Sequence, residues 1–175
     1  MIKVNAEQIL LAREKRVEIQ NYISARFGLP ILVVRVNYPG LDRDNNVTRG
    51  IANYIKDEIS VSFANNIIYS QLIFTAEGPI YIAAIKDTPT HIKETSIKIE
   101  EKHPLGRLVD IDVYDSEGNG ISRGELGYAM RKCYLCNDIA QCCVRSRKHS
   151  IEEVIEYINN KYQEFVCHGD VSLGT

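Results

Sequence analysis

Apolar residues early in the chain recur at helical steps, and Ile9, Ala12, Ile19, Ile23 and Phe27 together predict an amphipathic helix over residues 5–27. Arg16 falls on the same stripe, with Arg13 and Gln20 beside it at i−3 and i+4. That seam either offers polar groups next to the buried face or holds an arginine that buries its stem and keeps its head in water. Gly28 and Pro30 end the helix, and Ile31–Val36 is a β-branched run typical of a buried strand. Asn37-Tyr38-Pro39-Gly40 has turn chemistry, and the charged loop 41–46 follows at the strand's C-terminal end, where ligands of open sheets often bind. A second helix is predicted over 47–63 from Ile51, Tyr54, Ile55 and Ile59. Ile67–Thr75 and Ile80–Lys86 read as strands joined by a tight turn at Glu77-Gly78-Pro79. Thr88-Pro89 supplies a cap and a first-turn proline for a helix over 89–101. Ser150 with Glu153 forms a capping box, and Ile151, Val154, Ile155, Ile158 and Tyr162 give the last helix its apolar face. The elements predict an α+β fold: a mixed, mainly antiparallel sheet of four to five strands with packed helices. Residues 1–165 read as a single catalytic domain, with 131–149 as a cysteine-containing subregion and 166–175 as a flexible tail.

One further strand carries chemistry. From Arg107 to Asp115 apolar and polar residues alternate, so Val109, Ile111 and Val113 face a core while Asp110 and Asp112 share the other face, roughly 7 Å apart. Two carboxylates that close repel one another and favour a cation between them, as in sites that hold Mg²⁺ against substrate phosphates. Alternation alone is equally met by a half-exposed strand with an acidic solvent face. Cationic residues flank the pair, Arg107 in the Gly106-Arg107 turn before it and Arg123 after it.

A formal charge of −2 with 25% charged residues, well mixed, argues against a general nucleic-acid binder, which would carry a strongly basic face. The first residues lack the apolar run of a signal peptide, and no stretch approaches the ~20 apolar residues that span a bilayer, so a cytoplasmic protein without membrane attachment is expected. Four of the five cysteines lie between Cys133 and Cys143, a cluster that in a reducing compartment points to metal ligands or buried thiols. Cys133 and Cys136 have the spacing of half a tetrahedral Zn²⁺ site, and Cys143 (or Cys142) with His149 can complete it. Arg145, Arg147 and Lys148 form a local basic run fit for phosphates or an acidic protein. His103, beside the turn before the acidic strand, is a candidate general acid.

The ordered blocks His103-Pro-Leu-Gly-Arg-Leu-Val-Asp110-Ile-Asp112-Val, Ile121-Ser-Arg123, Arg131-Lys-Cys133-Tyr-Leu-Cys136 and Cys143-Val-Arg145-Ser-Arg147-Lys-His149-Ser150 closely resemble the holo-acyl-carrier-protein synthase of citrate lyase, the apo-citrate lyase phosphoribosyl-dephospho-CoA transferase family. Arg13-Glu14-x-Arg16 with Gln20, Asn37-x-Pro39-Gly40, Gly78-Pro79 and Glu100-Glu101 extend the likeness along the chain. The Cys142-Cys143 pair, where the family has a single cysteine, and Ile80 after Gly78-Pro79 depart from it. The resemblance implies transfer of the phosphoribosyl-dephospho-CoA group from triphosphoribosyl-dephospho-CoA to a serine of the apo acyl-carrier subunit of citrate lyase, with release of pyrophosphate. On that view Asp110 and Asp112 hold Mg²⁺, and Arg107 and Arg123 clamp the triphosphate. Arg13, Arg16, Gly106 and Lys86 contact substrate, and Arg145, Arg147 and Lys148 receive the carrier protein. The paired aspartates also resemble the general nucleotidyltransferase fold, although its Gly-Ser lead-in is missing. Two other readings fit the residues: a metal-stabilised protein-interaction module built on the cysteines, and a metal-dependent phosphohydrolase using the same aspartates.

Overall fold

The computed structural model describes residues 4–169. Its strands are β1 (Ile31–Val36), β2 (Ile67–Thr75), β3 (Gly78–Ile85) and β4 (Val109–Tyr114), and they form one sheet in the order β2-β3-β1-β4. Each pairing in it is antiparallel. Its helices are α1 (Ala6–Phe27), α2 (Asn46–Ser62), α3 (Pro89–Lys102), α4 (Ala140–Ser146) and α5 (Ile151–Gly169). The architecture is therefore α+β. Among the described residues no helix is long and apolar enough to cross a membrane.

Period-two alternation sorts the core into two layers. Leu32 and Val34 of β1, Tyr81, Ala83 and Ile85 of β3, and Val109, Ile111 and Val113 of β4 share one cluster with Ile51, Ile55 and Ile59 of α2, Ile92 and Ile99 of α3, and Ile158 of α5. On the reverse face Ile31, Val33, Ile80, Ile82 and Ala84 pack with Ile23 of α1, joined by the partly buried Ile19 and Phe27. β3 is buried along its whole length, as an interior strand covered on both faces must be. On the α1 face of β4, Asp110 and Asp112 keep more than a third of their side-chain surface exposed.

β4 is an edge strand, and its outward backbone groups are met individually. The Ile111 N–H donates to Glu100 Oε1 at 2.9 Å, and the Ile111 carbonyl accepts from Lys93 Nζ at 2.7 Å. The Val113 carbonyl accepts from the Ile121 N–H at 2.8 Å and the Val109 carbonyl from Arg131 Nη1 at 2.9 Å. Two side chains of α3, with Arg131 and the Ile121 backbone, thus replace the strand that would otherwise pair there, which removes an aggregation-prone edge.

Most predicted elements appear within a residue or two of their expected ends, and the differences have local causes. Asn5 with Gln8 and Asn45 with Thr48 form reciprocal capping boxes that set the starts of α1 and α2. The acidic strand begins at Val109 rather than Arg107, because Gly106–Leu108 make a 3-10 turn. α4 falls in a stretch that the apolar pattern did not mark as helical. α5 continues through residues 166–169, past the Phe165 limit expected from composition, and residues 170–175 lie outside the described ones.

Gly106 has a packing reason. A Cβ there would sit 2.2 Å from the Ile99 carbonyl oxygen and 2.9 Å from that of Glu100, backbone atoms at the end of α3 that cannot step aside. Gly106→Ala is expected to lower stability by about 2 kcal/mol or more, read as a drop in the urea midpoint at unchanged slope. A midpoint equal to wild type would show that the turn and α3 separate freely.

Candidate functional site

Asp110 and Asp112 stand on the α1 face of β4, opposite Arg35 and Val33 of β1 in the antiparallel register. Arg35 Nη2 donates to Asp112 Oδ2 at 2.7 Å. Asp110 Oδ1 accepts from Arg131 Nη1 at 2.6 Å and from Asn37 Nδ2 at 2.9 Å. Burial alone would lower the Arg35 pKa, but Asp112, Asp110 and Glu77 outweigh it and hold the guanidinium more firmly charged than usual. Among the described residues no hydrogen bond reaches Asp110 Oδ2 or Asp112 Oδ1. Each carboxylate thus keeps one hard oxygen donor of the kind Mg²⁺ takes one or two at a time.

Glu77, buried in the turn before β3, gathers arginines from two elements. Arg16 Nε donates to its Oε2 at 3.0 Å, and Arg13 Nε and Arg35 Nη1 lie 3.6 and 3.7 Å from its Oε1. Arg16 Nη1 also donates to Gln20 Oε1 at 3.0 Å. The Arg16 head is therefore buried and ion-paired, not wet as a snorkelling arginine would be.

On the other flank, buried Glu100 accepts from Arg123 Nη2 at 2.8 Å as well as from Ile111, with Arg131 Nη1 3.6 Å away. Burial pulls the Lys93 ammonium below its ordinary pKa, even with Glu100 and Asp112 close by. Arg107 donates to the Lys132 carbonyl and its own carbonyl accepts from Arg131 Nη2 at 3.0 Å. Burial, then the like charges of Arg131 and Arg123, lower its pKa. A cavity of about 360 Å³ opens here, lined by Lys93, Glu100, Asp110, Asp112, Arg123 and Arg131 among others. Paired carboxylates ringed by guanidinium groups suit a ligand that is a chain of phosphates, with or without a divalent ion.

The structure brings Asp110, Asp112 and Arg123 to this cavity, with Arg107 just behind Arg131. It holds Arg13 and Arg16 at Glu77, one arginine further along the face. A second cavity, of about 450 Å³, lies by Gln8, Arg43 and Asp44, where the charged loop after β1 meets the start of α1. His103 is elsewhere: its Nδ1 accepts from the Leu105 N–H, its ring packs on Phe165, and burial lowers its pKa. Exposed Lys86 follows the end of β3, six residues beyond the Ile80 that pairs with Arg35, or about 20 Å along the sheet. Arg145, Arg147 and Lys148 are exposed on and after α4, with Lys148 Nζ donating to Asp138 Oδ2 at 2.6 Å. Cys133, Cys136, Cys143 and His149 converge, their ligand atoms all within 4.8 Å of one another, so the set could hold a metal ion.

Periodicity passed over Arg35, Glu77 and Lys93. The available signals were an arginine inside an otherwise β-branched strand, an acid whose turn chemistry was enough to explain it, and a lysine one helical turn pair before Glu100 on α3. Arg131 is marked only by the family likeness, and Asn37 by that likeness and by its turn.

The chain matches the sequence profile of the family described as apo-citrate lyase phosphoribosyl-dephospho-CoA transferase over residues 4–165. It is 32% identical over 170 residues to a Vibrio cholerae protein (strain O395) named probable apo-citrate lyase phosphoribosyl-dephospho-CoA transferase, covering 95% of this chain and 96% of the relative. An Escherichia coli protein (strain SMS-3-5) named apo-citrate lyase phosphoribosyl-dephospho-CoA transferase is 30% identical over 155 residues, or 87% of this chain and 85% of the relative.

A pH effect follows from His103. Its folded pKa lies below the unfolded value, so the unfolded chain takes up the proton first and stability falls as pH drops from about 6.5 toward the folded value. His103→Asn is expected to lose stability less steeply than wild type between about pH 7.5 and 5.5, measured by denaturant midpoints at each pH. Identical slopes would mean that His103 titrates alike in both states.

Proposed function

The chain belongs to the apo-citrate lyase phosphoribosyl-dephospho-CoA transferase family, and from that premise we propose that it transfers phosphoribosyl-dephospho-CoA from triphosphoribosyl-dephospho-CoA to a serine of the apo acyl-carrier subunit of citrate lyase. The observation that carries this reading is the grouping of Asp110 and Asp112 with Arg35, Arg123 and Arg131 at β4 beside an open cavity. The serine oxygen bonds to the phosphorus nearest the ribose, the bond from that phosphorus to the pyrophosphate oxygen breaks, and the hydroxyl proton passes to a base of the site.

Arg123, Arg131 and Arg107 take up the charge that grows on the departing pyrophosphate, each exchanging part of its present bonding for phosphate oxygens. Arg35 holds Asp112, and Asn37 with Arg131 holds Asp110, so the carboxylates keep one orientation. Asp110 and Asp112 would hold Mg²⁺, which when bound withdraws charge from phosphate oxygens. His103 and Lys86 have no part in this scheme, since neither lines the cavity. Arg145 and Arg147, whose side chains make no hydrogen bond or ion pair among the described residues and which flank the exposed Val144 region, form the surface that receives the carrier, whose docking face would be acidic.

Incubation with triphosphoribosyl-dephospho-CoA and apo carrier, followed by intact mass, is expected to show Mg²⁺-dependent addition of one prosthetic group to the carrier. Asp110→Asn should reduce the rate on the order of a hundredfold or more. Pyrophosphate or phosphate release without a modified carrier would replace transfer by hydrolysis, and no reaction at all would leave a binding module.

Reversing charge at the basic run separates docking from chemistry. Arg145→Glu with Arg147→Glu is expected to raise KM for the carrier about tenfold, and less at high salt, with kcat nearly unchanged. An unchanged KM would move the docking surface elsewhere.

A further inference from the structure

Residues 115–150 pass from β4 to α5 with α4 as their only helix and, within them, only Cys143 is buried. A stretch so poor in apolar burial has little hydrophobic energy to hold one conformation. Yet it delivers two ordered guanidinium groups, those of Arg123 and Arg131, to the cavity beside β4.

Its order comes from a compact knuckle. The Lys132–Ile139 bridge, the Cys133 N–H on the Asp138 carbonyl at 2.7 Å and the Ala140 N–H on the Arg131 carbonyl at 2.9 Å close a loop that presents Cys133 and Cys136. α4 then carries Cys143, and the chain reverses at Arg147, whose φ of +48° makes it the one non-glycine residue in the left-handed region among the described residues. That turn returns His149 to the knuckle, with Nε2 3.3 Å from Cys136 Sγ, while Cys143 Sγ lies 3.4 Å from the same sulfur. A tetrahedral Zn²⁺ with ~2.3 Å bonds to sulfur separates its sulfurs by about 3.8 Å. The Cys136–Cys143 and Cys136–His149 separations are within about half an ångström of that value, and the whole set, within 4.8 Å of one another, need close by no more than about 1 Å to meet the geometry.

We propose that Cys133, Cys136, Cys143 and His149 bind one structural Zn²⁺, and that this ion braces the knuckle so that Arg131 reaches Asp110 and Lys132 receives Arg107. Three thiols give up their protons on binding and all four positions are filled by protein, which leaves no open coordination site for chemistry. The ion acts through Arg131, making the cysteine set a positioning device for the site on β4. Arg131 sits two residues before Cys133, so motion of the knuckle is passed to it directly.

The test uses the full chain, expressed with zinc, kept reduced and dialysed into metal-free buffer. Metal analysis should read about one zinc per chain in wild type and about a tenth or less in Cys136→Ser. Cys142→Ser removes an exposed thiol outside the set and should keep its zinc. Exchange of Co²⁺ into wild type should give the intense visible bands of a tetrahedral thiolate site. Chelation of wild type should speed amide exchange across 131–149 and at β4 while β1 and β3 stay protected, a result that does not depend on any variant folding. Wild type with a tenth of a zinc per chain or less, an octahedral cobalt spectrum, or loss of zinc in Cys142→Ser equal to that in Cys136→Ser would overturn the site. Exchange unaffected by chelation would overturn its bracing role.

Discussion

The structure depends on Glu100. Its Oε1 takes the Ile111 N–H and its Oε2 takes the Arg123 guanidinium, so one buried carboxylate both finishes the edge of the sheet and anchors a cation of the cavity. Lys93, one helical turn pair earlier on α3, does the complementary task at the Ile111 carbonyl. Removing the acid would leave a backbone N–H unmet and two positive groups, Arg123 and Lys93, without their nearest counter-charge, and buried charges left alone are among the costliest defects a fold can carry. Edge and site therefore share one solution.

From that point charges alternate across the face of the sheet. Arg13 and Arg16 meet Glu77, Glu77 meets Arg35, Arg35 meets Asp112, Asp110 meets Arg131, and Glu100 meets Arg131 and Arg123. Each guanidinium is held in place by a carboxylate, so the positive groups are already arranged before an anionic ligand arrives. Fixed dipoles and charges of this kind need little rearrangement when charge develops, which is where most electrostatic catalysis originates. Arg107 lacks such a partner: its side chain rests on a carbonyl and is crowded by Arg131 and Arg123, so it has the most to gain from an incoming phosphate.

Periodicity and punctuation residues placed the four strands and four of the five helices, because β-branched runs, Gly-Pro turns and capping boxes act locally. They also placed Val109, Ile111 and Val113 inward and both aspartates on the opposite face. What local rules could not supply was pairing across the fold. That Arg35 opposes Asp110, that Glu77 collects Arg16, and that Lys93 and Glu100 serve β4 rather than solvent all follow from strand order, which the chain does not spell out. His103 is the counterpart: close in sequence to the acidic strand, it packs its ring on Phe165 of α5 and accepts from the Leu105 N–H instead of meeting the aspartates. The four metal-type ligands were visible as spacing, but the long gap to His149 is closed only by a left-handed turn at Arg147.

Because α1 lies over β1 and β3, the aspartate-bearing strand forms a ledge along the flank of the domain instead of the floor of a pit. A ledge is approached broadside. A place of that shape admits a bulky protein surface without any flap having to open.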